Sequence, residues 1–327
     1  MLRELSLGEI FKLGYYWETK ILLTAIKLDI FTSLHAQGLT CQELASRHHV
    51  DSRALGLLMN ALVAMRVLMK KENQFSNSSV AQKHLVKTNP EYVGHLLILH
   101  DTEWANWGKL EETIRTGNSP VKQHVFETDP EMGANVLAVL DRIGKGSGIS
   151  LAKRLALSGS GHLLDVGGGA GTNSIAFCQE YPNLRATVFD LPATLKVTRR
   201  AVEEAGLCDR IRLMPGNFLE DSFNGSYQVA LMSDVLHYQG GGTNGKLVRK
   251  VHEHLVPGGS LVIKDRFLDA SRSSPAWTTA FAVHIMLNTE HGDCFTTEEA
   301  MEWMRNAGFE EVVELEPRAV VQGKKPE

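Results

Sequence analysis

A run of glycines between a strand-like and a helix-like segment is the feature that most constrains how this chain can fold. The segment spans Asp165–Gly171, reads DVGGGAG, and follows the apolar run His162–Val166. Glycine allows a tight turn and lets a ligand approach the backbone closely. In an open α/β sheet, ligands bind at the carboxyl ends of the strands, beside such a turn. The segment therefore predicts an α/β domain with a ligand site at this turn.

Strand-like apolar runs alternate with helical stretches through the C-terminal half of the chain. The runs are His162–Val166, Arg185–Phe189, Arg210–Met214, Gln228–Met232, Ser260–Lys264, Glu311–Leu315 and Arg318–Gln322. This alternation predicts a Rossmann-like, mainly parallel and doubly wound sheet. The last two runs are too close together for a crossover helix, so we expect the last strand to be antiparallel.

The N-terminal third has no such units, and its pattern is typical of short helices followed by a hairpin. Thr40 and Glu43 form a capping box, Asp51 or Ser52 can cap the next helix, and residues 67–75 resemble two short strands around a turn. This outline predicts a winged helix-turn-helix, which could either enter a DNA groove or pair two chains. Because Lys and Arg number 34 against 38 Asp and Glu, we favour a dimer contact over nucleic acid.

We therefore expect a winged-helix-like dimerisation domain over residues 1–95, a helical connector over 96–157 and a ligand-binding domain over 158–327. Large connector side chains are either core residues or the wall of an apolar pocket; they include Trp104, Trp107 and Phe126. The chain has no bilayer-length apolar run, no signal-peptide pattern, no CxxC pair and no zinc-type spacing. These absences predict a cytoplasmic protein without a membrane partner or a metal centre.

A carboxylate at the end of the second strand narrows the ligand class. Asp190 stands in the segment Val188–Pro192, where it can accept hydrogen bonds from both hydroxyls of a ribose. A dinucleotide fingerprint requires glycine at the position of Thr172, and the chain contains no P-loop motif. The residues therefore favour a nucleoside ligand over one held by a pyrophosphate cradle.

The segment LLDVGGGAGTNSIAFCQEYPNLRATVFDLP, residues 163–192, resembles the cofactor segment of class I S-adenosylmethionine-dependent methyltransferases. More narrowly, it resembles the caffeate, acetylserotonin and bacterial hydroxy-aromatic O-methyltransferase family. Members also carry an N-terminal winged-helix dimerisation domain, so the resemblance covers nearly the whole chain and implies a homodimer. It further implies S-adenosylmethionine as the cofactor, with Gly167 and Gly169 in the cofactor loop, Asp190 on the ribose and Leu191 against the adenine.

Two further cofactor segments follow from the same resemblance. Pro215–Phe218 resembles the family segment Gly-Asp-(Met/Phe), which implies that Asn217 and Phe218 flank the adenine. The acidic residue of the family segment is replaced in this chain by Asn217, which has an uncharged amide. Ser233 stands where the family usually has Lys or Arg, and we include it among the expected cofactor residues.

His237 follows the fourth strand, in a segment that resembles the family motif VLHDW, whose histidine is the general base. A phenol, with a pKa of about 10, is a poor nucleophile at neutral pH, and a histidine can take its proton as the methyl group arrives. Asp265 ends the next strand and is expected to hold the imidazole. The second glutamate of the family corresponds to Cys294, for which Asp293 or Glu290 could substitute. The glycines at 240–242, after His237, allow a mobile loop.

The resemblance implies an O-methyltransferase of a small hydroxylated, aromatic molecule. A helical stretch before Gly292 resembles the substrate-pocket wall of the family and contributes Met286 and Asn288. Two alternatives stay open on the sequence: a C- or N-methyltransferase of a pigment or antibiotic intermediate, and a winged-helix regulator that senses S-adenosylmethionine.

Overall fold

Residues 4–122, 125–155 and 160–327 are described by a computed structural model of the chain. The chain divides into two units, residues 1–102 and 103–327, each of which is described by itself below. The predicted boundary between residues 157 and 158 lies outside the described residues, and the division into three segments stays a prediction. Within the described ranges, no helix has both the length and the apolar character needed to cross a membrane.

The first unit consists of seven helices and a small sheet within its described part. The helices are α1 (Leu7–Leu13), α2 (Trp17–Lys27), α3 (Ile30–Ser33), α4 (Cys41–His48), α5 (Ser52–Ala64), α6 (Ser79–His84) and α7 (Gly94–Thr102). The strands β1 (Leu39–Thr40), β2 (Leu68–Lys71) and β3 (Gln74–Asn77) pair antiparallel in the order β1-β3-β2. The expected capping box of Thr40 and Glu43 and the N-cap of Asp51 are both present.

The core of the first unit lies under α2 to α6, whereas α1 has no buried residue. Large apolar side chains around α1 are more than half exposed; they are Leu5, Leu7, Ile10, Phe11, Leu13, Tyr15, Tyr16 and Trp17. An apolar patch of this kind on a small unit is typical of a surface that another chain covers.

The second unit begins with helices and continues as alternating strands and helices. Its helices are α8 (Trp104–Trp107), α9 (Leu110–Thr116), α10 (Val125–Thr128), α11 (Pro130–Leu155), α12 (Thr172–Glu180), α13 (Thr194–Glu204), α14 (Gly241–His254), α15 (Ala276–Asn288) and α16 (Thr297–Ala307). Its strands are β4 (Ser160–Val166), β5 (Asn183–Asp190), β6 (Ile211–Pro215), β7 (Tyr227–Ser233), β8 (Leu255–Lys264), β9 (Glu310–Glu316) and β10 (Val320–Lys324).

Seven strands of the second unit form one sheet in the order β6-β5-β4-β7-β8-β10-β9. The pairs from β6 to β8 are parallel, and β10 is antiparallel to both β8 and β9. Each strand-like run of the sequence overlaps one of these strands, and the mainly parallel sheet with an antiparallel last strand is confirmed. The order reverses at β4, and such a switch point is where open α/β sheets bind ligands.

Two apolar clusters cover the faces of this sheet and leave its carboxyl edge for polar residues. One cluster packs β4, β7 and β8 against α14 and α16, and the other packs the opposite face against α11, α12 and α13. Asp190 and Ser233 end their strands at this edge, and the glycine loop and Asp265 directly follow theirs. The glycines at 240–242 do not form the mobile loop that the sequence allowed, because Gly240 is the N-cap of α14 and Gly241 is its first residue.

Candidate active site

A histidine–aspartate pair lies at the carboxyl edge of the sheet. His237 sits in a single 3-10 turn, Leu236–Tyr238, after β7, and Asp265 follows β8. His237 Nδ1 lies 2.7 Å from Asp265 Oδ1, and both side chains are buried. The carboxylate also accepts the N–H of Leu236 at 3.0 Å and that of Arg266 at 2.8 Å. Both oxygens of Asp265 are therefore engaged, and they fix the imidazole and its turn together.

The charge state of this pair follows from its surroundings. Burial acts to raise the pKa of Asp265, but the charge and hydrogen bond of His237 and the N–H of Arg266 outweigh burial, so the pKa lies below its ordinary value. An ionised carboxylate only accepts hydrogen bonds, so the Nδ1 of His237 carries the proton. When the imidazole is neutral, its lone pair is therefore on Nε2, where it can accept a proton from a bound molecule.

Aromatic rings surround His237 and continue along α15. The ring of Tyr238 lies 4.3 Å from that of His237, and the ring of Phe281 meets it edge-on at 5.2 Å. Phe281 in turn stacks on Trp277 at 4.8 Å and on His284 at 5.8 Å. The spacing of four and three residues places these three rings on one face of the helix. The arrangement gives the histidine an apolar wall suited to a planar molecule.

The expected pocket residues occupy different places around this wall. Trp107 on α8 lies 6.2 Å from the ring of His284, and Phe126 lies 6.4 Å from the ring of Tyr238. Asn288 is buried, and its Oδ1 accepts a 2.8 Å hydrogen bond from Asn106, which ties α8 to α15. Trp104 and Met286 are half-buried on α8 and α15.

The glycine loop after β4 provides the second half of the site. Gly167 and Gly169 adopt φ values of +65° and +57°, a region that L side chains rarely occupy. A Cβ on Gly167 would lie 2.8 Å from Val235 and 3.5 Å from the ring of Phe218. The bare backbone therefore faces Phe218, which comes from the loop after β6. Phe218 and Gly167, both expected to bind the cofactor, are brought together.

Asp190 closes the other side of the glycine loop. Its carboxylate accepts the N–H of Gly169 at 2.8 Å and that of Leu191 at 2.7 Å. Burial raises the pKa of Asp190, and these two N–H groups act in the opposite direction. A carboxylate oxygen can accept more than one hydrogen bond, so a ribose fits here without loss of the loop contacts. Together with the half-buried Leu191 and Phe218, this donor set suits a nucleoside.

The remaining expected cofactor residues have partners within the chain. The Oδ1 of Asn217 accepts the N–H of Leu219 at 3.0 Å, so the amide shapes its own turn. Ser233 donates to Asp234 at 3.1 Å. Asp234 has a φ of +56° and also pairs with Arg266 and, at 3.3 Å, with Lys264. The charge at this strand end thus comes from β8 rather than from position 233.

None of the three residues considered as a second acid approaches the imidazole by a described side-chain contact. Cys294 is buried, and burial raises the pKa of its thiol to about 12. The carboxylate of Asp293 instead pairs with Arg272 at 3.1 Å. Only the backbone N–H of Asp293 reaches the turn, where it donates to the carbonyl of His237 at 3.1 Å. Glu290 is exposed.

The structure brings three further residues to the site that the sequence patterns did not predict: Arg266, Trp277 and Asp234. Arg266 lies 5.3 Å from the ring of Trp277 and 5.2 Å from that of Phe281, as measured from its guanidinium carbon. Trp277 begins the aromatic stripe, and its spacing of four from Phe281 was the available signal. Asp234 gave no signal in the sequence, because its left-handed backbone and its cationic partners become visible only in the folded chain.

Comparison with known proteins identifies both halves of the chain. Family models match it as an O-methyltransferase domain over residues 111–310 and as an O-methyltransferase dimerisation domain over residues 12–87. It is 31% identical to the tetracenomycin polyketide synthesis 8-O-methyl transferase TcmO of Streptomyces glaucescens, over 98% of this chain and 97% of that protein.

Two other matches extend the comparison to an N-methylating relative and to a solved structure. The chain is 30% identical to the N,N-dimethyltransferase OxyT of Streptomyces rimosus, over 90% of this chain and 88% of that protein. The structure of PigF with SAH (S-adenosylhomocysteine) superposes with a TM-score of 0.91 at 20% identity, over 98% of this chain and all of that chain. That last likeness establishes a shared fold.

Proposed function

This chain belongs to the family of S-adenosylmethionine-dependent O-methyltransferases with a dimerisation domain, and we propose that it methylates a hydroxyl oxygen of a small aromatic molecule with His237 as the general base. The observation that carries the proposal is the buried pair of His237 and Asp265 at 2.7 Å. The family is enzymatic, which disfavours the alternative of a regulator that senses the cofactor.

The residues at the carboxyl edge suit the cofactor. Asp190 would accept the ribose hydroxyls, Leu191 and Phe218 would lie against the adenine, and the backbone at Gly167 and Gly169 would take the methionine portion. When bound, S-adenosylmethionine supplies an activated methyl group on a sulfonium. Asn217 and Ser233 have intrachain partners, so we assign them a secondary part in this site.

The base acts on the acceptor hydroxyl. Nδ1 of His237 is committed to Asp265, which leaves Nε2 to take the proton from the hydroxyl. The imidazolium then formed lies beside an ionised carboxylate, which stabilises its charge. The charge of that imidazolium and the N–H of Arg266 in turn lower the pKa of Asp265, so the carboxylate stays ionised beside it.

The aromatic stripe of α15 supports the acceptor class. Trp277, Phe281 and His284 present rings in line, and Phe281 meets His237 edge-on. A planar acceptor packed along this stripe would hold its hydroxyl close to Nε2, and such positioning contributes much of the rate in a displacement reaction.

The experiment is a product assay on a panel of phenols, with matched anilines and activated-carbon acceptors, in which mass spectrometry detects the added methyl group. We expect a gain of one methyl on a phenol and loss of that gain when the same hydroxyl is blocked. Methylation confined to an amine or a carbon would overturn the proposal in favour of the N- or C-methyltransferase alternative. The similarity to an N,N-dimethyltransferase is the observation that keeps this alternative in the panel.

The first unit is proposed to form a homodimer through a winged-helix-like module. The exposed apolar side chains around α1 adjoin the part of the chain that matches a dimerisation domain. The four cysteines are free thiols, which supports a reducing compartment such as the cytoplasm.

A further inference from the structure

Asn244 reaches from α14 across the turn that carries His237. Its side chain is completely buried. The Nδ2 group donates to the carbonyl of Leu236 at 2.9 Å and, through a longer bond, to that of Gln239 at 3.4 Å. Leu236 precedes His237, and Gln239 lies two residues after it. One amide therefore brackets the turn from both sides.

The other half of the same amide has no partner. The Oδ1 of Asn244 is buried and accepts no hydrogen bond among the described residues. A buried acceptor without a donor lowers stability, and an apolar side chain of similar size would avoid that loss. The two bonds to the turn are therefore the contacts that account for an amide at this position.

Among the described residues, two backbone bonds also hold the turn, and they act together with Asn244 on the position of the imidazole. Asp265 Oδ2 accepts the N–H of Leu236 at 3.0 Å, and the N–H of Asp293 donates to the carbonyl of His237 at 3.1 Å. Because Asp265 binds both the backbone of the turn and the ring of His237, a shift of the turn also changes the bond at Nδ1. Asn244 is the attachment on the helix side.

We propose that Asn244 is a positioning residue, which holds the 3-10 turn so that His237 keeps its bond to Asp265 and presents Nε2 to the acceptor. This inference rests on the proposed role of His237 as the base. It assigns Asn244 no contact with cofactor or acceptor. Its effect passes through the backbone of Leu236 and Gln239 to the imidazole.

The matched control is Asn77, in the first unit. It too is a buried asparagine whose Nδ2 donates to a carbonyl, that of Phe31 at 2.9 Å, and whose Oδ1 is buried without a partner. Asn77 and Asn244 lie in different units of the chain. Asn77→Leu therefore reproduces the loss of a buried amide without touching the turn of His237.

The test compares Asn244→Leu with Asn77→Leu in the full-length protein. One-dimensional proton NMR follows the downfield Nδ1 proton shared with Asp265, assigned by its absence in His237→Gln, and calorimetry measures affinity for S-adenosylhomocysteine. Turnover is measured on the panel acceptor with the highest rate. For Asn244→Leu we expect a shifted or broadened Nδ1 signal, a kcat lower by about 10- to 100-fold and unchanged cofactor affinity. Asn77→Leu should change none of the three.

Several results would overturn the inference. They are a wild-type Nδ1 signal in Asn244→Leu, an equal loss of kcat in Asn77→Leu, or a loss confined to cofactor affinity. If the leucine variant does not fold, Asn244→Ala replaces it, since the smaller side chain also removes the donor. A changed Nδ1 signal in Asn244→Leu together with full activity of His237→Gln would instead reject the proposed base, and with it the catalytic purpose of the positioning, while the structural link from Asn244 to the imidazole would stand.

Discussion

His237 Nδ1 and Asp265 Oδ1 are 2.7 Å apart, and the two side chains are only 3% and 4% exposed. A buried carboxylate is stable as an ion only when it is paired and hydrogen-bonded, and here the imidazole and two backbone N–H groups meet that need. The pair therefore depends on both members. Removing one leaves the other in a buried site without its partner.

The first prediction concerns the histidine. His237→Ala should lower kcat by roughly 100-fold or more, the usual contribution of a general base, because alanine cannot take the proton of the acceptor hydroxyl. Affinity for S-adenosylhomocysteine, measured by calorimetry, should stay within about twofold, an expectation that follows from a base that does not bind cofactor. His162→Gln is the control, since His162 lies in the first half of β4, away from the carboxyl edge, and bonds Thr187. Undiminished turnover in His237→Ala would reject the base.

The second prediction separates the acids around the histidine. Asp265→Asn should lower kcat by about 100-fold or more, because an amide cannot stabilise an imidazolium and can select the wrong tautomer. Asp293→Asn should have little effect, since the carboxylate of Asp293 pairs with Arg272 rather than with the imidazole. Initial rates at saturating cofactor measure the loss of kcat in each variant. Equal losses in both would mean that a second acid acts after all.

Local patterns account for what the sequence could predict at this site. The glycine loop, Asp190, His237 and Asp265 all lie at the ends of strands, and strand ends in a parallel sheet meet at one edge. Their proximity therefore follows from alternating apolar runs and from the chain order. The capping box at Thr40 was also predictable from a local pattern, because it depends on two residues only three positions apart.

Contacts between distant segments were not predictable from those patterns. Nothing in the sequence shows that Asp293 turns towards Arg272 or that Asn244 reaches the carbonyl of Leu236. The glycines at 240–242 suggested a loop because glycine disfavours helices, but α14 begins there, with Gly241 close to the ring of Trp303. Tertiary packing outweighed local propensity at that point.

The third prediction concerns cofactor affinity. Asp190→Ala should weaken S-adenosylhomocysteine binding by about 10-fold or more, because it removes the acceptor for the ribose and releases the N–H of Gly169. Thermal unfolding of the variant checks that the fold persists. Asp209→Asn, at an exposed position before β6, should bind as the wild type does. Wild-type affinity in Asp190→Ala would remove this carboxylate from the cofactor site.

The fourth prediction concerns assembly. Phe11→Glu combined with Leu13→Glu should shift the protein from dimer to monomer in size-exclusion chromatography with light scattering, because charges on these exposed apolar positions oppose burial against a second chain. Lys12→Glu lies between them and changes charge without removing apolar surface, so it should stay dimeric. A dimeric double variant would place the contact elsewhere in the chain.

The last prediction is a pH dependence of stability with opposite signs at two aspartates. Burial raises the pKa of Asp165 from 3.8 to about 6, so the folded chain binds this proton more tightly than the unfolded chain. The free energy of unfolding therefore falls as pH rises through this interval, by up to about 3 kcal/mol. Asp165→Asn can still accept a hydrogen bond from the hydroxyl of Ser174 but carries no charge. The free energy of unfolding of the ligand-free variant should therefore rise relative to that of the wild type as pH rises from 4 to about 7.

Asp101→Asn should behave oppositely, because hydrogen bonds from Lys20 and Lys27 lower the pKa of Asp101. The stabilisation by the ionised Asp101 is present above the pKa of the unfolded chain and is lost as pH falls. Urea unfolding at several pH values measures both differences, and parallel curves for Asp165→Asn and the wild type would show that Asp165 is ionised in the folded protein at its ordinary pKa.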